Sequence, residues 1–398
     1  MRRIGFYLLI ITVFLLAPLL ALPQKAVPAP AAAPTPTPTA VARAAAPYRA
    51  VWVSYLEWEQ VDFSSAEAFT QAIGTMLDNI QSIGATVVLA QVRPFGDALY
   101  PSDYFPFSHL CTGTQGQDPG FDPLALLVDA AHARDLQLEA WVNPYRIQAG
   151  QTPALCGASP ARLHPDWVRY TDAYLDPANA DVRQYIADGV GELCARYAVD
   201  GIHFDDYFYP TTDPAFDAAD YAASGSTRTQ DDWRRENVNA LMELCHAAAR
   251  RYGVRFGAAP AGDPEQNYTL QYSDAARWLR QGTVDYLMPQ LYWGQEYIKN
   301  GDASHSFAQL AAAWAALPRA AGVQLYAGLG AYRVGAGDGS DAGSEWFSGH
   351  ALADQLALLA RLGVQGAGLY RYGSLFANSD APALAESEAE AIKGVWQG

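Results

Sequence analysis

From residue 48 onward, short apolar runs alternate with longer stretches whose apolar residues recur at helical spacing. The short runs are typical of buried strands and fall at 49–55, 86–94, 137–144, 201–207, 255–260, 286–293, 324–332 and 366–373. The helical patterns fall at 66–82, 122–134, 180–198, 229–251, 270–281, 305–316, 348–361 and 382–394. Eight strand–helix units in this order predict an α/β fold, a (β/α)8 TIM barrel with a parallel sheet ringed by helices.

The connections between these elements support the same architecture. No Gly-x-Gly-x-x-Gly follows the first strand, so a doubly wound nucleotide-binding sheet has little support. The loops after strands two, three and four are long, at about 95–121, 145–179 and 208–228, whereas the loops that lead into strands are short. Long loops on one face of a barrel build its active site, so we expect a site at the C-terminal face.

The first 47 residues have a different composition from the rest. Met1-Arg2-Arg3 is basic, and an uncharged apolar run follows from Ile4 to Ala21. Residues 1–26 therefore read as a secretory signal peptide or an uncleaved membrane anchor. Residues 27–47 are mainly Ala, Pro, Thr and Val, which predicts an extended linker. We expect residues 48–398 to form the folded domain and to lie outside the cytoplasm, either secreted or tethered to the cell envelope.

Composition narrows the choice of partners. The chain has 398 residues, half of them hydrophobic, and a net charge of −16, which argues against a nucleic-acid partner. We expect a monomer. An exported chain can form disulfides. The candidate pair is Cys111 and Cys156, which both lie in loop-like sequence. Cys194 and Cys245 lie on apolar helical faces and are predicted to be buried thiols. No Cys-x-x-Cys or histidine cluster is present, so no metal or other cofactor is expected.

Polar residues gather late in several predicted strands. Side chains alternate along a strand, so His203, Asp205 and Tyr207 share one face of the fourth strand. By the same rule, further polar faces carry Gln91 with Arg93, Glu139 with Trp141 and Asn143, and Gln290 with Tyr292. If these faces point inward, a polar ring lies at the mouth of the barrel. The alternative is a set of hydrogen-bonded core residues that only stabilise the barrel.

Three carboxylates are candidates for catalysis. Asp205 is the first, and its alternative role is an inner ion pair with Arg93. Asp206 either orients Asp205 or caps the following loop. Glu296 lies just past the sixth strand and reads as a proton donor or as an ordinary solvated acid. His203 reads as a hydrogen-bonded residue behind the site rather than a base.

Aromatic and cationic residues at the same strand ends suit a sugar ligand. Exposed rings with a polar tip can pack on the apolar faces of sugars, and the candidates are Trp141, Tyr145, Tyr207, Tyr292, Trp293 and Tyr370. Arg146 and Arg371 can bind a carboxylate or an acetamido oxygen. Asp97, Asn143 and Gln290 complete the predicted substrate-binding set.

Six motifs resemble those of the glycosyl-hydrolase-like family 10, in order over about 48–376. They are Tyr48 to Val53, Gln91-Val-Arg-Pro-Phe-Gly-Asp97-Ala-Leu-Tyr100-Pro, Trp141-Val-Asn-Pro-Tyr-Arg146, Asp200-Gly-Ile-His-Phe-Asp-Asp-Tyr-Phe-Tyr-Pro210, Asp232-Trp-Arg-Arg-Glu-Asn-Val-Asn239 and Met288-Pro-Gln-Leu-Tyr-Trp293. The resemblance implies a (β/α)8 barrel that acts on extracellular or envelope glycans. One branch of the family cleaves peptidoglycan glycan strands that lack stem peptides.

The fourth strand also resembles strands of two other glycosidase families. Asp200-Gly-Ile-His203-Phe-Asp205 looks like the Asp-Gly-x-Arg-x-Asp strand of alpha-amylases, whose last Asp is the nucleophile and matches Asp205. Histidine replaces the arginine of that pattern. In the chitinase pattern the catalytic Glu falls on Tyr207, so a chitinase-type, substrate-assisted mechanism is not expected.

We therefore expect a glycoside hydrolase in which Asp205 is nucleophile or base and a second acid, Glu296 first, protonates the leaving oxygen. A carboxyl separation of about 5–5.5 Å predicts retention of configuration and about 6.5–9.5 Å inversion. The alternative is a non-catalytic glycan-binding barrel attached to the envelope. A metal-dependent deacetylase is a weaker third hypothesis, because the seven histidines do not cluster.

Overall fold

The computed structural model describes residues 47–169, 173–206, 208–342 and 345–398. The predicted signal or anchor at 1–26 and nearly all of the predicted linker therefore lie outside the described residues. Within the described ranges, no helix is both long and apolar enough to cross a membrane.

A closed parallel barrel forms the centre of the fold. Its strands are β1 (Tyr48–Val53), β2 (Val87–Arg93), β3 (Gln137–Val142), β4 (Gly201–Phe204), β5 (Arg255–Ala258), β6 (Tyr286–Leu287 and Gln290–Leu291), β7 (Gln324–Leu325 and Ala327–Leu329) and β8 (Gly366–Leu369). Each strand pairs in parallel with the next, and β8 pairs with β1, with Tyr48 opposite Gly366. Pro289 lies in the break of β6, where a residue without an amide hydrogen cannot donate to the sheet. The predicted TIM barrel is confirmed.

Eight helices surround the barrel at nearly the predicted positions. They are α1 (Ala66–Ser82), α2 (Pro123–His132), α3 (Ala180–Arg196), α4 (Gln230–Arg250), α5 (Ala275–Gln281), α6 (Phe307–Ala316), α7 (Ala351–Arg361) and α8 (Pro382–Gln397). The predicted helix at 270–281 begins later than expected. Tyr272 has a left-handed backbone (φ 56°), and Asp274 caps α5 through the amide of Arg277, so a separate short helix, Pro264–Leu270, precedes it.

Most of the remaining elements belong to the long loops. Short helices span Tyr55–Trp58, His109–Thr112, Pro160–Leu163, Ala218–Ser224 and Tyr372–Phe376, and 3-10 turns span Pro165–Trp167, Pro214–Phe216, Ala331–Arg333 and Glu345–Phe347. A small antiparallel hairpin pairs Val168–Arg169 with Tyr174–Leu175. The Tyr370–Arg371 peptide after β8 is cis. These segments follow the C-terminal ends of strands, so they build one face of the barrel.

Large side chains fill the lower part of the barrel. Tyr48, Trp52, Tyr286, Met288 and Tyr326 share one buried interior cluster with smaller residues. Glycines on neighbouring strands provide the space, since a Cβ at position 257 would lie 2.2 Å from the ring of Tyr286 and one at position 368 would lie 2.7 Å from that of Trp52. The interior is a packed core.

All four cysteines are free thiols, so the expected Cys111–Cys156 bond is not formed. Cys111 is buried at the end of its short helix. Cys156 is half-buried, and its backbone amide is bound instead to the side chain of Gln115 at 3.0 Å. Cys194 and Cys245 are buried, as their positions on apolar helix faces predicted.

Candidate active site

A cavity of about 390 Å³ opens at the C-terminal mouth of the barrel. It is lined by Leu56 and by residues that end or follow seven of the strands: Trp52, Trp141, Asp205, Asp206, Ala259, Gln290, Tyr292, Tyr332, Tyr370 and Arg371. This is the face on which the sequence predicted a site. Acids, amides and aromatic rings meet there, so the cavity suits a ligand with both hydroxyl groups and apolar faces.

Asp205 is held in one orientation by two donors. Its Oδ2 accepts hydrogen bonds from Asn143 Nδ2 at 2.6 Å and from Trp141 Nε1 at 3.2 Å. Gln91 Nε2 donates to Asn143 Oδ1 at 2.5 Å, which turns the amide NH2 of Asn143 toward Asp205. The side-chain oxygen Oε1 of Gln91 in turn accepts a hydrogen bond from the backbone amide of Tyr55 at 2.8 Å. The carboxylate at the end of β4 is therefore positioned before any substrate arrives.

Asp206 reaches the same cavity, although strand alternation predicted that it would face the other way. The strand ends at Phe204, and beyond it the backbone turns, so alternation no longer applies. Burial raises the pKa of Asp206, and hydrogen bonds from Gln271 and Gln290 act in the opposite direction. Gln271 Nε2 lies 2.9 Å from Asp206 Oδ2. A carboxyl group with a raised pKa can hold a proton for a leaving group.

His203 lies behind the cavity rather than in it. Its Nε2 accepts a hydrogen bond from Trp52 Nε1 at 3.2 Å, and its Nδ1 is bonded to the hydroxyl of Tyr286 at 2.8 Å. Tyr286 donates to Glu139, and Glu139 is paired with Arg255 at 2.5 Å. Burial lowers the pKa of His203 to about 3, so the imidazole is neutral and orients Trp52.

Three tyrosines form one wall of the cavity. Tyr292 and Tyr370 are stacked, with ring centroids 5.6 Å apart, and Tyr332 meets Tyr292 edge-on at 5.6 Å. Burial raises the pKa of Tyr292 well above its usual value, and neighbouring groups, among them Asp206 and Asp205, raise it further. The Tyr292 hydroxyl therefore remains protonated and can donate a hydrogen bond.

Arg371 is the cation of the cavity lining and is anchored by a buried acid. Glu57, 5% exposed, forms an ion pair with Arg371 and accepts the backbone amide of Gly373 at 3.0 Å on the same oxygen. Its other oxygen accepts from the amide and hydroxyl of Ser54 at 2.8 and 2.6 Å. The guanidinium position is thus set by the loop after β1.

Arg93 does not point into the barrel, which corrects the prediction that it shares a face with Gln91. The pairing of β2 with β3 shifts register between Gln91 and Arg93, and such a bulge reverses the side on which later residues point. Arg93 is 1% exposed, and its guanidinium carbon lies 4.1 Å from the centre of the Phe105 ring. It packs between the barrel and α3, so it neither pairs with Asp205 nor reaches a sugar in the cavity.

Four other predicted sugar contacts also lie outside the cavity lining. Asp97 is fully buried and ties its loop together by accepting from His109 and Gln115. Tyr145 is fully buried in the core, and Trp293 packs against the core and near His305. Arg146 donates from Nε to the carbonyl of Pro94 at 3.0 Å and lies over Phe95. These residues shape the loops that surround the site.

Glu296, the first choice for the proton donor, is exposed and is not among the cavity-lining residues. The loop after β6 directs it to solvent, while its neighbour Gln295 binds Glu345 through the backbone amide at 2.8 Å. Tyr207 lies outside the described residues. Of the predicted site residues, the structure brings together Asp205, Asp206, Trp141, Asn143, Gln290, Tyr292, Tyr370 and Arg371.

Several residues of the site were missed. Trp52 lies on the inward face of β1, and the alternation rule that was applied to other strands would have found it. Gln271 and Glu57 belong to a loop and a short helix, where no strand or helix period predicts direction. Within the described ranges, no group of three or more His, Cys, Asp or Glu residues could hold a metal ion.

A parallel barrel with two adjacent carboxylates in an aromatic cavity at its C-terminal mouth is the arrangement of a glycoside-hydrolase-like protein. The chain belongs to the family described as Glycosyl hydrolase-like 10, whose model matches residues 47–348. The resemblance inferred from the six motifs is confirmed.

Two curated relatives carry the name glycosyl hydrolase. The chain is 36% identical over 323 residues to glycosyl hydrolase YngK of Bacillus subtilis (strain 168), covering 74% of this chain and 62% of YngK. It is 34% identical over 335 residues to glycosyl hydrolase DigH of Escherichia coli (strain K12), covering 74% of this chain and 75% of DigH. The match thus spans less than two thirds of YngK.

Solved structures share the fold at low identity. The glycoside hydrolase domain of PgaB (BpsB) from Bordetella bronchiseptica has a TM-score of 0.56 and 15% identity, covering 88% of this chain and 99% of that domain. The catalytic domain of a beta-amylase from Paenibacillus polymyxa has a TM-score of 0.53 and 13% identity, covering 87% of this chain and 98% of that domain. These similarities concern the barrel itself.

Proposed function

We propose that this protein is a glycosidase that hydrolyses a cell-wall polysaccharide, with peptidoglycan glycan strands as the substrate. The observation that carries the proposal is the acid pair after β4: Asp205, fixed by Trp141 and Asn143, next to Asp206, whose pKa burial raises. Two carboxyl groups with different surroundings can divide the acid and base roles of glycoside hydrolysis.

In this proposal the two acids have separate roles. Asp205 acts as nucleophile or base, because Trp141 and Asn143 both donate to its Oδ2 and hold the carboxylate in place. Asp206 replaces Glu296 as the proton donor to the leaving oxygen, since it lines the cavity and Glu296 does not.

The walls of the cavity would bind the sugar. Trp52, Trp141 and Tyr292 offer aromatic surface to its apolar faces, and Gln290 and Arg371 offer hydrogen-bond donors to its oxygens. No separate cofactor has a role in this chemistry.

The choice of peptidoglycan and of an extracytoplasmic location rests on two observations. The motifs resemble a family with a branch that cleaves peptidoglycan strands, and residues 1–26 have the composition of a signal peptide or anchor. An enzyme with this leader and linker would act on the envelope from outside the cytoplasm.

Product release from purified peptidoglycan tests the proposal. Wild type and Asp205→Asn would be incubated with strands that carry stem peptides and with strands that lack them. We expect soluble fragments from wild type on strands without peptides, and at least a hundredfold less from Asp205→Asn, because the variant retains shape but loses the charged oxygen. A binding assay on the same strands should show that both forms bind.

Two results would contradict the proposal in different ways. Equal fragment release by Asp205→Asn would remove Asp205 from the chemistry. Binding by both forms with no fragments from either, on peptidoglycan and on a panel of other glycans, would favour the non-catalytic glycan-binding barrel.

A further inference from the structure

A solvent-exposed tyrosine stands on the loop after β5, close to the cavity but not part of its lining. Tyr268 lies on the short helix Pro264–Leu270 and is 42% exposed; the nearby Leu270 is 51% exposed. A single exposed apolar side chain is ordinary on a protein surface, so exposure alone assigns it no role. The surroundings of Tyr268 indicate what its ring can bind.

One face of the Tyr268 ring is supported by a buried arginine. The guanidinium carbon of Arg235 lies 4.0 Å from the ring centre, and its Nη1 donates to the backbone carbonyl of Tyr268 at 2.9 Å. Arg235 is 9% exposed, and Asp232 accepts from its Nη2 at 2.7 Å. The arginine covers the inner face of the ring, so the exposed surface is the outer face.

The helix that carries the ring is itself fixed at both ends. Asp263 caps its start by accepting from the amide of Glu265 at 2.8 Å. Asn267, 1% exposed, donates to the carbonyl of Asp263 at 3.1 Å and accepts the amide of Ser273 at 2.9 Å through its backbone oxygen. A ring held in this way loses little freedom when a ligand covers it.

The backbone of Tyr268 lies near a residue that binds the acid pair. Gln271, which donates to Asp206, follows Tyr268 by three residues, and three peptide links span at most about 11 Å. Arg235 lies in the first turns of α4, and the helices of this barrel begin on the face where the strands end. Tyr268 therefore stands on the rim of the cavity.

From this geometry we propose that Tyr268 is an outer subsite for a glycan chain, on which a sugar unit beyond those held in the cavity packs its apolar face. The inference rests on the proposed glycan substrate and extends it, because it makes the protein selective for chains longer than the cavity can hold. A rigid aromatic face open to solvent is suited to a sugar ring.

The test compares long and short glycan strands from the same peptidoglycan, cleaved by the full chain and its variants. We expect Tyr268→Ala to lower kcat/KM on long strands about three- to tenfold and to leave kcat/KM on the shortest cleaved fragment unchanged. Tyr268→Trp keeps a ring and should retain activity on long strands. Arg235→Met removes the support of the ring and should act in the same direction as Tyr268→Ala.

Tyr252 provides a matched control. It is 44% exposed and follows the C-terminal end of α4, on the opposite face of the barrel. Tyr252→Ala should leave kcat/KM unchanged on both substrates.

If Tyr268→Ala lowered kcat/KM equally on long and short strands, or did not lower it on long strands, the proposed subsite would be overturned. If wild type cleaves no glycan, the proposed function fails; the subsite is then judged by binding of long strands, which Tyr268→Ala should weaken and Tyr252→Ala should not.

Discussion

The ends of β2 and β4 look alike in sequence but differ in structure. Each carries two polar residues two positions apart, Gln91 with Arg93 and His203 with Asp205. In β4, which ends at Phe204, Asp205 directly follows the strand and still lies on the side that alternation predicts, so it enters the cavity. In β2 the bulge after Gln91 sends Arg93 outward, where it packs under Phe105.

This difference separates a site residue from a structural one. A single register shift decides whether a late polar residue meets the substrate or the helical layer. Residue type does not decide it, because arginine and aspartate are both expected at a sugar site. The end of β4 should therefore control chemistry, and the end of β2 should control stability.

The largest expected effect concerns Asp206, which follows the end of β4. Asp206→Asn cannot supply a proton, so we expect kcat on natural glycan to fall about 10²- to 10⁴-fold. An aryl glycoside whose leaving group needs no proton should lose far less. Steady-state kinetics on the two substrates measure the difference.

Glu296→Gln is the matched control, because Glu296 is an exposed acid on the same face of the barrel. Its activity should stay within about twofold of wild type, as expected for a solvated surface position. If Glu296→Gln lost as much activity as Asp206→Asn, the proton donor would be Glu296 after all.

A stability measurement tests the outward position of Arg93. A Cβ at Gly189 of α3 would lie 2.9 Å from Arg93 Nη1 and 2.7 Å from the Phe105 ring. We expect Gly189→Ala to lower the free energy of unfolding by about 1–3 kcal/mol through overpacking. Denaturant unfolding measures the change, and kcat of the folded enzyme should not change.

The control lies two residues along the same helix. A Cβ at Gly191 would meet no atom within 4 Å, so Gly191→Ala should raise the free energy of unfolding by about 0.5–1 kcal/mol, the usual gain of alanine in a helix. Because the expected signs are opposite, stabilisation by both substitutions would show that Arg93 does not occupy the space beside α3.

The smallest expected effect concerns the pH profile. The amide of Gln271 donates to Asp206 and favours its ionised form, which lowers the pKa that burial raises. Without this donor, as in Gln271→Met, Asp206 keeps its proton to higher pH. The alkaline limb of kcat should therefore move upward. A limb that stays in place or moves downward would contradict the role of Asp206, and the acid limb serves as the internal reference.

The barrel could be predicted from the sequence because each strand and helix has its own hydrophobic period. The same reasoning found Trp141, which lies within its strand, and Asp205 and Asn143, which each directly follow the last residue of a strand and keep its alternation. It failed for Arg93, where a bulge interrupts the period, and for Asp206, where the strand has already ended. Gln271 joins the site through a loop, and contacts between loops have no local signature in the chain.

The buried chain from Trp52 through His203 and Tyr286 to Glu139 and Arg255 has one further consequence. From Trp52 to Glu139 each hydrogen bond is donated away from the mouth, and the Glu139 carboxylate accepts from Tyr286 on one side and pairs with Arg255 on the other. The orientation of the Trp52 indole, which lines the cavity, thus depends on the carboxylate of Glu139, which is buried below it. A substitution that breaks this chain at the closed end is therefore expected to change the position of the indole at the mouth without altering any side chain that lines the cavity.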